Sequence, residues 1–131
     1  LHTLDVILPI FMEKNSGHLV FAGSLVGYRG LPGALGYGSS KAAIVNLSET
    51  LRFDLKDTGI KVQLINPGYV KTRLTDKNNF KMPQIMSPEV AAGKMFSNMN
   101  KNNFSSSFPA PFSWLFRVSQ LLPESIYFKL F

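Results

Sequence analysis

Cysteine is absent from the 131 residues. Its absence removes disulfides, thiolate nucleophiles and cysteine-ligated metal sites, and fits a reducing compartment. Histidine is scarce: His2 and His18 stand alone, neither with a ligating partner four residues on, so no metal is expected. No basic stretch reaches five residues. The formal net charge of +6 therefore reads as a solvated surface, and nucleic-acid binding is not expected. No apolar run approaches the ~18 residues of a spanning helix. The opening LHTLDVILPIFMEK lacks the basic start and small-residue cleavage site of a secretory signal. These absences predict a cytoplasmic protein. What is present, 45% hydrophobic residues against 17% charged, is enough for one domain with a real core.

The chain opens on leucine, inside a helix-like pattern with no cap before it, so we expect a segment that begins partway through a larger protein. Leu4, Ile7, Leu8 and Phe11 follow the spacing of an amphipathic helix over 1–13, with Pro9 placed to bend or end it. HLVFAG, residues 18–23, predicts a buried strand. The glycine-rich stretch 24–36 predicts a loop. From Tyr37 to Lys56 a stripe of Ala43, Leu47, Leu51 and Leu55 predicts a helix, with Gly59 near the place of a C-cap. IKVQLIN, residues 60–66, predicts a second buried strand. Strand, loop, long helix and strand make the βαβ unit of a parallel sheet, hence an α/β fold. Residues 75–86 predict a mobile loop. Residues 87–99 predict a helix opened by Ser87 with Pro88 at its first position. Residues 100–111 show no pattern, and the apolar tail 112–131 is interrupted by Pro123.

GYGSSKAA, residues 36–43, carries the chemistry. Tyr37 and Lys41 are four apart and so share one helix face. An ammonium beside a phenol favours the phenolate, and such a tyrosine gives or takes a proton nearer neutral pH. The spacing alone is cheap. It gains weight from Ser24, thirteen residues earlier and directly after the first predicted strand. Asn66, which ends the second strand, is followed at once by PGYVKT. In an open α/β sheet ligands bind beyond the carboxyl ends of the strands, so three segments converge on one rim.

These motifs resemble the C-terminal half of a classical short-chain dehydrogenase/reductase, over residues ~5–75. The resemblance implies a partial Rossmann-like, doubly wound parallel sheet and an NAD(P)-dependent oxidoreductase that interconverts alcohol and ketone by hydride transfer. It implies Tyr37 as general acid/base and a cofactor contact, Lys41 as its activator and ribose ligand, and Ser24 as the group that polarises the carbonyl. It implies that Pro67 and Gly68 wall the nicotinamide pocket, with the Val70 backbone and the Thr72 hydroxyl on the carboxamide. Tyr28, Leu31, Leu35 and Tyr69 either line a substrate pocket or simply pack the loop, and Leu74 and Met82 fall where the family carries a lid.

The family's glycine-rich pyrophosphate turn, the residue that selects NAD or NADP, and its catalytic asparagine all belong upstream of Leu1. GYRGLPGALG follows the serine strand and reads as a substrate-side loop. The 131 residues alone are therefore expected to be inactive. The expected partners are a small carbonyl or alcohol substrate of hydrophobic character and a second copy of the chain, since the helix from Tyr37 resembles the family's pairing helix. For the tail, packing on the domain or at a subunit interface ranks ahead of a membrane surface. Two other readings stand beside the dehydrogenase: an extended-type sugar epimerase or dehydratase, and a truncated module without catalysis.

Overall fold

Three short strands lie side by side and all run the same way. In a computed structural model describing residues 2–73, 75–77 and 79–130, β1 (Gly17–Ala22) pairs with β2 (Ile60–Pro67), and β2 with β3 (Ser105–Phe108). Five helices surround them: α1 (His2–Lys14), α2 (Leu35–Asp54), α3 (Pro88–Met99), α4 (Phe112–Ser119) and α5 (Glu124–Leu130). Single 3-10 turns occupy Leu25–Gly27 and Thr75–Lys77. The α/β architecture with a parallel sheet is the one the sequence predicts.

The sheet is covered on both faces. Alternate residues of β2 divide between two cores, as a two-residue side-chain period requires. Ile60 and Val62 join Leu19 of β1, Leu51 and Leu55 at the end of α2, and the apolar stripe of α1. Ile65 joins Met86, Ala91 and Phe108, with Met95 and Met99 of α3 packed against them. Between these apolar positions sits Gln63, only 1% exposed. Its Nε2 reaches the carbonyls of Asn98, Lys101 and Asn103, and its Oε1 meets His18 Nε2 at 2.8 Å.

Several boundaries differ from the sequence reading. Pro9 removes one backbone donor, but it lies on an exposed flank and α1 runs past it to Lys14. α2 begins two residues before Tyr37, and it ends at Asp54 without a glycine cap. Gly59 instead packs on α1's exit: an added β-carbon would stand 2.0 Å from Asn15 O, and its amide donates to Asn15 Oδ1. The predicted loop 75–86 closes on Met86, which is buried and bridges to Val70. β3 falls in a stretch where no strand is expected. Leu74, placed in a lid by resemblance, lies outside the described residues.

Candidate active site

β1 ends at Ala22; Gly23 N still donates to Ile65 O at 2.9 Å, and the backbone stays extended through Ser24. Ser24 is buried and caps the 3-10 turn that follows, its Oγ accepting from Val26 N at 3.4 Å. That turn lies on the first turns of α2. A β-carbon at Gly27 would come within 2.9 Å of Lys41 O, and one at Gly38 within 3.7 Å of Val26 Cγ2. The approach needs glycine at position 27 because backbone, which cannot swing aside, occupies the space.

Tyr37 stands on the first turn of α2, half exposed. Lys41 Nζ sits 5.6 Å from the centre of the Tyr37 ring and donates to Ala22 O at 3.0 Å. One ammonium therefore ties the end of β1 to the tyrosine. Two of its three hydrogens remain for other acceptors. The Ser24 hydroxyl uses a lone pair on Val26 N, and its own hydrogen stays available to donate.

The Pro67–Gly68 turn reaches the same rim from β2. Gly68 N donates to Phe108 O at 2.7 Å, and a β-carbon at Gly68 would lie 3.3 Å from Leu25 Cδ1. Beyond it the backbone is pinned. Val70 O accepts from Thr75 Oγ1 at 3.0 Å, and Thr72 N donates to that oxygen at 2.8 Å. Met86 N and O take Tyr69 O and Lys71 N. The sequence reading leaves Thr75 and Met86 out. The Thr72 side chain is exposed and points no bond at this scaffold.

Tyr28 is held rather than open. Its Oη meets Ser107 Oγ at 2.5 Å, accepts from Asn66 Nδ2 at 3.2 Å, and lies 3.4 Å from Arg117 Nε. Burial pushes its pKa up, but hydrogen bonds with Ser107, Arg117 and Ser105 and the charge of Arg117 outweigh that, and the phenol falls below its usual 10.0. Leu31 is half-buried in the same loop, and Leu35 is exposed at the start of α2. Tyr69 faces an aromatic group, 6.1 Å from Phe80 and 5.7 Å from Phe112, which in turn is 5.1 Å from Phe116. Burial alone raises the Tyr69 phenol.

The tail closes over this loop. Arg29 Nη1 donates to Ser119 O and, at 2.8 Å, to Leu122 O, and its guanidinium lies 3.8 Å over the Tyr127 ring. Tyr127 Oη donates to Gly30 O at 2.5 Å, and Gln120 Nε2 to Tyr28 O at 3.2 Å. Arg29, Asn66, Ser107 and Arg117 were not singled out by motif. The only sequence signals are an asparagine finishing an apolar strand and an arginine inside a glycine-rich loop. A cleft lined by Arg52, Leu55 and Ile60 opens at the start of β2, the far end of the strand from Asn66, and takes no part here.

Comparison with known proteins bears on the fold and the family. The short chain dehydrogenase family pattern matches residues 1–83, and the chain belongs to that family. A protein of Myxococcus xanthus (strain DK1622), described as an uncharacterized oxidoreductase, is 39% identical over 125 residues, covering 95% of this chain and 49% of the relative. A short chain dehydrogenase from Burkholderia cenocepacia J2315 in complex with NADP superposes with a TM-score of 0.78 at 17% identity, over 94% of this chain and 50% of that one. A short chain dehydrogenase/reductase from Burkholderia phymatum in complex with NAD gives 0.76 at 21% identity, over 92% and 53%. The two structures carry the fold. The chain spans about half the length of the relatives it matches.

Proposed function

We propose that these residues are the C-terminal, catalytic part of an NAD(P)-dependent oxidoreductase that interconverts an alcohol and a ketone. One observation carries the reading. Lys41 Nζ holds the carbonyl of Ala22, two residues before Ser24, while standing beside the Tyr37 ring. That contact supports reading a phenol, an ammonium and a hydroxyl as one group at the end of β1, the set a carbonyl reduction needs.

The residues suit a nicotinamide nucleotide. Lys41 has donors to spare for ribose hydroxyls, the Pro67–Gly68 turn is rigidly backed by β3, and the Thr72 hydroxyl is uncommitted beside a pinned backbone at Val70. A nicotinamide bound there would supply the hydride. As the substrate oxygen gains charge, Ser24 Oγ donates a hydrogen bond to it and Tyr37 Oη delivers the proton. Lys41 stabilises the phenolate left behind. In the oxidative direction Tyr37 takes the proton back. Tyr28 and Leu31 shape the loop beneath the substrate, and Tyr69, with Phe80 and Phe112, supports a hydrophobic one. The exposed length of α2, which displays Phe53, supports a homo-oligomer.

We read the glycine-rich loop 24–36 as lying on the substrate side and not as a pyrophosphate cradle, and so assign no turnover to these 131 residues alone. The test compares nicotinamide-dependent ketone reduction by this chain and by the same chain preceded by the N-terminal half of the Myxococcus relative. Turnover only in the second, abolished by Tyr37→Phe, supports the reading. A folded chimera that binds cofactor yet reduces nothing would favour a non-catalytic module.

A further inference from the structure

α4 packs with its polar side inward. Ser113 and Ser119 are buried, whereas Trp114, Leu115 and Val118 stand 63%, 60% and 57% exposed. The orientation is fixed from within. Ser113 N donates to Pro109 O at 2.9 Å, Ser113 Oγ reaches Ser107 O at 3.4 Å, and the Ser119 carbonyl accepts from Arg29. Rolling the helix to hide its apolar side would break all three. Beyond it Leu121 is 83% exposed. α5, docked through buried Tyr127, leaves Phe128 and Leu130 at 72% and 64%. Arg29 touches both the end of α4 and Tyr127, so the two helices are neighbours on one loop. With Ile126 these make seven large exposed apolar side chains between residues 114 and 130, on the order of several hundred Å², the size at which a surface patch marks an interaction site.

The charges around the patch select its occupant. From residue 112 to 130 the cations are Lys129 and Arg117, both exposed although Arg117 Nε also reaches Tyr28 Oη, and the single acid is Glu124. The whole chain carries +6. A second copy on this face would bring like charges together with few acids to offset them. An anionic lipid surface complements both features, with acyl chains for the apolar groups and headgroup phosphates for the cations. Trp114, the sole tryptophan, has the side chain most suited to the headgroup level. We propose that α4 and α5 dock the protein onto an anionic bilayer surface, lying in its interface. No helix among the described residues is long and apolar enough to cross a membrane. The sequence reading ranks packing on the domain or at a subunit interface ahead of a membrane; packing on the domain uses only the inner faces of these helices, and a subunit interface is an outcome of the test below.

The test is vesicle binding by the chain, followed by co-sedimentation and by Trp114 emission. With equimolar phosphatidylcholine and phosphatidylserine, Trp114 shifts to the blue and the protein sediments with the lipid. Binding weakens roughly tenfold or more with phosphatidylcholine alone or at high salt. Val118→Glu with Leu121→Glu abolishes binding while the circular dichroism melt is kept, and Lys129→Glu weakens binding to the anionic vesicles only. Phe53→Glu, on α2, binds as the parent does. The proposal fails if the parent chain ignores anionic vesicles, or if Phe53→Glu abolishes binding equally. It fails too if Val118→Glu with Leu121→Glu splits a lipid-free dimer and leaves lipid binding intact, because the face then joins copies.

Discussion

Asn66 holds its amide oxygen where a β-carbon on Gly23 would stand: the two would be 1.9 Å apart. Asn66 is fully buried, gives its Nδ2 to Tyr28, and leaves Oδ1 without a partner. Glycine between β1 and Ser24 is thus required by a side chain on the next strand. Gly23→Ala should lower stability by about 1–3 kcal/mol, read as a fall in melting temperature. Adding Asn66→Ala should recover part of that loss, and strictly additive losses would contradict the contact.

Arg29 clasps the tail to the loop after Ser24. Arg29→Ala removes two hydrogen bonds to backbone carbonyls and a cation over the Tyr127 ring, a loss of about 2 kcal/mol. Amide exchange over residues 117–127 should quicken more than over β2. Equal quickening throughout would show a global effect instead.

Two phenols should titrate on opposite sides of 10.0. Tyr28, lowered, releases its proton first in the folded chain, and Tyr69, raised, releases it last. Just below pH 10.0 the unfolded chain retains the Tyr28 proton that the folded one has lost, so stability relative to Tyr28→Phe should rise with pH there. Above pH 10.0 the folded chain retains the Tyr69 proton, so stability relative to Tyr69→Phe should fall as pH rises. Alkaline denaturant titrations of the two variants check both slopes.

Ser87 caps α3 through Val90 N, with Pro88 at the first helical position. Ser87→Ala should cost about 1 kcal/mol, measured by urea unfolding, and Ser87→Asp should cost little.

In the protein that carries cofactor, Tyr37→Phe should lower kcat for ketone reduction by about 10²–10⁴-fold with cofactor affinity retained. Ser24→Ala should also lower kcat. Activity near the parent level in Tyr37→Phe would remove the proton donor from the mechanism.

The sheet's first two strands and α2 are legible in the sequence because burial on both faces demands near-continuous apolar runs, and HLVFAG and IKVQLIN supply them. β3 is not legible. Its sequence SSSF has one apolar residue, and its place is set by ladder bonds to β2 together with Tyr28 on Ser107 and Asn103 on Ser106. The Tyr37–Lys41 pair is visible as a spacing. The link from Lys41 to Ala22 O is not, because a backbone carbonyl leaves no mark in the residue types. The same holds for Arg29, whose partners are carbonyls 90 and 93 residues away.

Gln63 has a consequence for strand alignment. Sliding β2 by one residue would carry its amide to the apolar side, against Leu19 and Leu55, and would leave the carbonyls of Asn98, Lys101 and Asn103 facing a hydrocarbon chain. A single polar side chain in the middle strand thus works as a locating pin. It rejects every neighbouring slip of the ladder, and so holds the Pro67–Gly68 turn level with Ser24.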